Sequence, residues 1–219
     1  MTREEVRARI VDVGILPAVR TASREDAEYA VEAVCSGGIP VVELTLTIPG
    51  AVELIAELRR SRPDVVVGAG TVLTAEEARQ CLEAGALFLS SPGLDREIVE
   101  LAQTHNIASI PGALTPTEVT MAWKAGVDFI KIFPCAPVGG ASYIRSLKRP
   151  FPQAPLIASG GVNQHTASDF LYAGAVALGI GGELIPREAI ERRQTHRVHE
   201  LARRFLEMVH RARQHPNGQ

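Results

Sequence analysis

The chain has 219 residues, 46% hydrophobic and 22% charged, with a formal net charge of −2. That length buries one sizeable core and fits a single domain, 1–219. The near-neutral balance excludes the strongly basic surface of a nucleic-acid-binding domain, and no apolar run approaches the roughly 20 residues of a membrane helix.

MTREEVRARIVD mixes acids with bases and has no continuous apolar stretch, so it does not read as a signal peptide; the expected location is the cytoplasm, with no membrane partner. Cys35, Cys81 and Cys135 lie far apart, without metal-type spacing, and are expected to be reduced thiols. Of the 23 basic residues only Lys124, Lys131 and Lys148 are lysines, which leaves 20 arginines. A desolvated lysine can give up its proton and an arginine cannot, so each lysine carries weight.

Residues 3–12 are expected to form a helix ahead of the first strand, Ile15–Val19. Ser23 caps the helix beginning Arg24-Glu25-Asp26, which stops at Gly37-Gly38 before the strand Ile39–Leu44. Val65–Val67 is the third strand. Thr74-Ala75-Glu76-Glu77 is a capping box, and its helix ends at Gly85 ahead of Leu87–Leu89. Ile107–Ile110 is followed by a second capping box, Thr115-Pro116-Thr117-Glu118, with proline at the first helical position. Gly126 stops that helix before Phe129–Ile132. Leu156–Ala158 and Ala175–Leu178, with the stop Gly174 between them, complete eight strands. Residues 186–213 are expected to form one long closing helix with a frayed tail, His215 to Gln219.

EAGALFL, KAGVDFI and YAGAVAL repeat one unit: helix, glycine stop, next strand. Near-continuous apolar strands indicate parallel strands covered on both faces. Eight such units in about 200 residues predict a (β/α)8 TIM barrel. A doubly wound open sheet fits less well, because the units are evenly spaced and no dinucleotide-type glycine motif follows the first strand.

A barrel places its active site where strands end. Lys131 stands in the apolar strand Asp128-Phe129-Ile130-Lys131-Ile132-Phe133-Pro134. Apolar surroundings disfavour the ammonium, and a neutral amine attacks a ketone to give a Schiff base. The plainer reading is a lysine that reaches solvent or pairs with a carboxylate. Glu43, ending Val41-Val42-Glu43-Leu44, could shuttle protons. It could equally be a structural ion pair with Lys131 or Arg20, and the two roles are compatible. Gly160-Gly161 and the glycines of 179–182, Gly181-Gly182 among them, follow the last two strands, where backbone N–H groups often hold a phosphate; tight turns alone would also use them. Arg20 could clamp a carboxylate or be a surface arginine. Thr45, Thr47, Thr71 and Ser159 offer rim hydroxyls or loop caps. The histidines His105, His165, His196, His199, His210 and His215 fall on helices or the tail, away from the rim except His165, and suggest no metal site.

VVELTLTIPGA, VGAGTVLT, SSPGLD, IPGALTPTE, DFIKIFP and ASGGVN, in this order, resemble the 2-keto-3-deoxy-6-phosphogluconate (KDPG) and 4-hydroxy-2-oxoglutarate (KHG) aldolases over residues 5–185. The resemblance implies a TIM barrel, a homotrimer and a metal-independent class I aldolase. It implies no cofactor beyond a covalent Schiff base between Lys131 and a small 2-oxo acid. It maps Glu43 to the acid/base, Thr71 near the substrate carboxylate, and Pro92 and Phe133 to the pocket. Arg20 and Thr47-Ile48-Pro49 match members that supply an arginine from strand 1. Many members read TGG and GS after the last two strands; this chain has Ser159-Gly160-Gly161 and Gly181-Gly182, so a hydroxyl is missing and Glu183 adds negative charge. A phosphate-binding isomerase or epimerase using Glu43 as base, and a non-catalytic sugar-acid-binding barrel, are the rival readings.

Overall fold

A computed structural model describes residues 1–214; the expected frayed tail, with His215, lies outside the described residues. The order is α1 (Arg3–Val13), β1 (Ile15–Val19), α2 (Arg24–Ser36), β2 (Val41–Thr45), α3 (Ala51–Ser61), β3 (Val66–Gly70), α4 (Ala75–Glu83), β4 (Phe88–Ser90) and α5 (Arg96–Thr104). It continues with β5 (Ala108–Ile110), β6 (Gly112–Ala113), α6 (Pro116–Lys124), β7 (Ile130–Ile132), α7 (Gly140–Lys148), β8 (Leu156–Ser159), α8 (Ala167–Tyr172), β9 (Ala177–Ile180), α9 (Arg187–Glu191) and α10 (Thr195–Gln214).

All strand pairs are parallel, in the order β5-β4-β3-β2-β1-β9-β8-β7-β6. The fifth strand is two segments rather than one, because Pro111 has no N–H to donate. The sheet still closes across it. Phe129 N–H donates to the Ser109 carbonyl at 3.2 Å and Lys131 N–H to the Pro111 carbonyl at 2.9 Å. The fold is therefore the expected TIM barrel.

Helix ends follow the expected chemistry. The side chains of Ser23, Thr74 and Thr115 accept from backbone N–H groups three residues on, and Glu77 and Glu118 complete capping boxes. Gly38, Gly85, Gly126 and Gly174 have positive φ after their helices, a conformation glycine adopts without steric cost. The single closing helix 186–213 does not form; α9 and α10 are separate. Arg193 between them is left-handed, φ 53°. Its guanidinium is held by Asp26 at 2.7 Å and Glu25 at 2.8 Å, and lies 4.7 Å from the Tyr29 ring centroid. Ion pairs to α2 thus fix the break.

The strand registers stack the barrel interior in layers of four, each from alternate strands. Val41, Phe88, Phe129 and Ala177 form the floor; Leu16, Gly68, Ile110 and Ile157 lie above them. Gly68 has no side chain because a Cβ there would meet the Phe88 ring at 2.4 Å. The next layer is Glu43, Ser90, Lys131 and Gly179. Ala18, Gly70, Gly112 and Ser159 lie above that, all small. Below the barrel, α1 packs against β1, β2, β5 and β9. Arg3 and Arg7 reach buried Asp128 at 2.8 and 3.3 Å, while Asp128 accepts from Ser109 N–H. Among the described residues α1 thus covers the base of the barrel, and the cleft opens above the polar layer.

Candidate active site

The polar layer brings Glu43 and Lys131 together. Lys131 Nζ lies 3.3 Å from Glu43 Oε1 and 3.4 Å from Oε2. Both are buried: the Glu43 side chain is 2% exposed and that of Lys131 11%. Isolated charges would be costly here, and each neutralises the other. The ion-pair reading of Glu43 therefore holds, and its partner is Lys131. Gly70 makes room for the carboxylate: a Cβ there would fall 2.2 Å from Glu43 Oε1. A third member, which the sequence did not single out, is Ser90, whose Oγ lies 3.2 Å from Lys131 Nζ.

Arg20 extends from the end of β1 over the rim. It donates to Thr47 Oγ1 at 3.4 Å and Thr71 Oγ1 at 3.3 Å. Thr47 is in turn 2.8 Å from Thr45 Oγ1, and Thr45 donates to the Val19 carbonyl at 3.0 Å. Thr45 is fully buried, so it braces the arginine's support and does not face the cleft. Thr71 has φ 58°, a left-handed conformation rare for a β-branched residue. Such strain costs roughly 1–3 kcal/mol and is found where a side chain must be aimed.

These groups open into one cleft of about 520 Å³. Arg20, Glu43, Thr71 and Lys131 lie in it with Pro92, Phe133 and Ser159. Its remaining wall is Ala18, Gly160, Gly161, Val162, Gly179, Gly181, Gly182 and Glu183. The Phe133 ring centroid is 5.8 Å from Lys131 Nζ. Gly160 and Gly161 have φ 84° and 88°, and a Cβ on Gly161 would meet that of Ala136 at 2.3 Å. A Cβ on Gly182 would have nothing within 4 Å, so local packing does not demand glycine there.

Of the residues expected at the site, all but Thr45 and Thr47 line the cleft, and those two support Arg20. Ala18, Ser90 and Val162 were outside the expected set, and Glu183 was expected only as added negative charge. Ser90 had a signal: it ends an apolar strand at the barrel mouth. A wider hollow of about 620 Å³ between α3 and α4 presents Glu53, Glu77 and Glu83 among apolar groups, with no basic or nucleophilic side chain. Cys35, Cys81 and Cys135 are free thiols, and Cys135 donates to the Gly160 carbonyl at 3.4 Å.

Comparison with known proteins identifies the family. Residues 6–201 match the model of a family described as KDPG and KHG aldolase. A 2-dehydro-3-deoxy-phosphogluconate aldolase of Treponema pallidum (strain Nichols) is 32% identical over 197 residues, 90% of this chain and 94% of that protein. A KHG/KDPG aldolase of Escherichia coli (strain K12) is 33% identical over 194 residues, 88% of this chain and 91% of the relative. Among solved structures, a KDPG aldolase from Legionella pneumophila, with pyruvate captured at low pH as a covalent carbinolamine intermediate, is similar with a TM-score of 0.83. Its identity is 31%, over 90% of this chain and 96% of that one. The chain belongs to the KDPG and KHG aldolase family.

Proposed function

We propose that this chain is a class I aldolase whose Schiff base forms on Lys131. It reversibly cleaves a 2-keto-3-deoxy-6-phosphogluconate-like or other 4-hydroxy-2-oxo acid to pyruvate and an aldehyde, glyceraldehyde 3-phosphate or glyoxylate. The observation that carries this reading is the Lys131–Glu43 contact at the base of the cleft. It joins a nucleophilic amine to a buried proton carrier.

Lys131 gives a proton to Glu43, and its free amine attacks C2 of the substrate. The nitrogen passes a proton to the new alkoxide to give a carbinolamine, and Glu43 protonates its hydroxyl, which leaves as water and yields an iminium. Glu43, a carboxylate again, then takes the proton from the C4 hydroxyl, directly or through a water. The C3–C4 bond breaks, its electrons pass into the iminium to form an enamine, and the aldehyde departs. Glu43 then protonates C3 of the enamine, and hydrolysis of the resulting iminium releases pyruvate and restores the amine. The iminium is itself the electron sink, so the chemistry needs no metal.

Arg20 and Thr71 hold the carboxylate, with Thr47 and Thr45 behind Arg20. Pro92 and Phe133 pack on the pyruvate half, and Ser159 offers it a hydroxyl. Gly160, Gly161, Gly181 and Gly182 present backbone to the far end of the aldehyde half, as a phosphate or hydroxyl terminus requires. Glu183, in no ion pair among the described residues, opposes a dianion at that end. Rates on KDPG, its galactonate epimer and KHG rank these termini. We also place the chain in the cytoplasm as a homotrimer, in line with the resemblance; no described helix is long and apolar enough to cross a membrane.

Glu43→Gln tests the assignment. It is expected to slow pyruvate release by roughly 10²–10⁴-fold, the range of positioned acid–base catalysis. Release at near-wild-type rate would remove Glu43 from this role. An isomerase would consume the same substrates without releasing pyruvate.

A further inference from the structure

We propose that Ser90 is a positioning residue for the Lys131 nitrogen, holding it on line while Glu43 exchanges protons. The inference rests on the Schiff-base reading of Lys131.

Ser90 ends β4 and is 1% exposed. It shares its barrel layer with Glu43 and Lys131, two residues beyond the Phe88 of the floor. Neighbouring inward positions of that strand are apolar, and a buried hydroxyl without a partner is costly. Its one side-chain hydrogen bond among the described residues is with Lys131 Nζ, at 3.2 Å.

An ammonium has three N–H donors. The near-equal distances of 3.3 and 3.4 Å to the two Glu43 oxygens fit one N–H shared between them. Ser90 takes a second. The third N–H is left for the cleft that Lys131 lines; once Glu43 has taken its proton, rotation about the Cε–Nζ bond, with an N–H kept on Ser90, turns the lone pair towards that cleft.

The two acceptors differ in one respect. Glu43 must gain and lose a proton during turnover, and when protonated it no longer attracts the nitrogen as an anion. A serine hydroxyl does not titrate in the working pH range, so it accepts an N–H throughout. Ammonium, carbinolamine and iminium each retain at least one N–H. Ser90 can therefore hold the nitrogen in every covalent state, whereas Glu43 holds it only in some.

The test compares Ser90→Ala, Ser90→Cys and Ser90→Thr with the parent. The readouts are kcat and KM for pyruvate release, and the rate of borohydride trapping with pyruvate. Cysteine keeps the volume but is a weak acceptor; threonine keeps the hydroxyl. Hydrogen bonds to charged groups are strong enough that losing this one should lower kcat about tenfold or more. Ser90→Ala and Ser90→Cys should both show that loss, with KM within about threefold and slower trapping on Lys131. Ser90→Thr should return most of kcat. Parent-like kcat in Ser90→Cys would overturn the proposal, as would a loss confined to KM. Failure of the parent itself to trap at Lys131 would instead overturn the Schiff-base reading.

Discussion

Lys131 and Glu43 sit on strands β7 and β2, which are not neighbours in the sheet, yet their side chains meet at 3.3 Å inside the barrel. Removing one charge strands the other. Lys131→Met is expected to destabilise the fold by about 3 kcal/mol, because breaking a buried pair leaves an uncompensated charge. Adding Glu43→Leu should recover most of that loss. Urea unfolding of both variants checks this; a double variant no more stable than the single one would contradict it.

Gly70 guards the carboxylate's position. A methyl group there would lie 2.2 Å from Glu43 Oε1 and 2.4 Å from its Cγ. Gly70→Ala should therefore push Glu43 away from Lys131 and cost on the order of 10²-fold in kcat, the scale of a 1 Å misplacement. Gly182→Ala, with nothing within 4 Å, is the control. Its stability should stay within about 0.5 kcal/mol of the parent's. Parent-like kcat in Gly70→Ala would refute this.

The strained Thr71 separates stability from binding. Thr71→Gly relieves its positive φ, so the fold should lose nothing and could gain up to about 1 kcal/mol. The same change removes the hydroxyl that accepts from Arg20 at 3.3 Å. KM for 2-oxo acids should rise about tenfold. A variant clearly less stable than the parent would argue against strain.

Burial pushes the Cys35 and Cys81 thiols up to about 12 and Cys135 up to about 11. The thiolate is the reactive form. At pH 8 a disulfide reagent should leave all three untouched in the native protein and react with them after unfolding. A raised folded value keeps the proton on in the fold after the unfolded chain has lost it. Stability should thus decline as pH rises above about 8.5, where free thiols ionise. Rapid native-state labelling would contradict this.

Much of the fold was legible because a parallel barrel repeats its signals. Each helix that ends before a strand at Gly38, Gly85, Gly126 or Gly174 uses the same left-handed stop. What escaped depended on partners distant in sequence. The strand read as ending at Ile110 resumes beyond Pro111 as Gly112–Ala113, where it pairs with β7. The break at Arg193 is written in Glu25, Asp26 and Tyr29 of another helix.

The site divides in the same way. Lys131 and Glu43 stood out as charges in apolar strands. Their contact was one of two pairings the sequence left open, Lys131 or Arg20 for Glu43, because the choice follows from the stagger of the barrel rather than from spacing along the chain. Ser90 was hidden for a plainer reason: a serine at a strand end also caps loops. Thr45 misled, since its hydroxyl turns back to the Val19 carbonyl and away from the cleft.

The most direct measurement is mass analysis after borohydride reduction in the presence of pyruvate. Reduction of the iminium should add one reduced pyruvate to the peptide containing Lys131 and to no other lysine peptide. The adduct should vanish in Lys131→Met. No adduct on the parent, or an adduct that persists in that variant, would contradict the account.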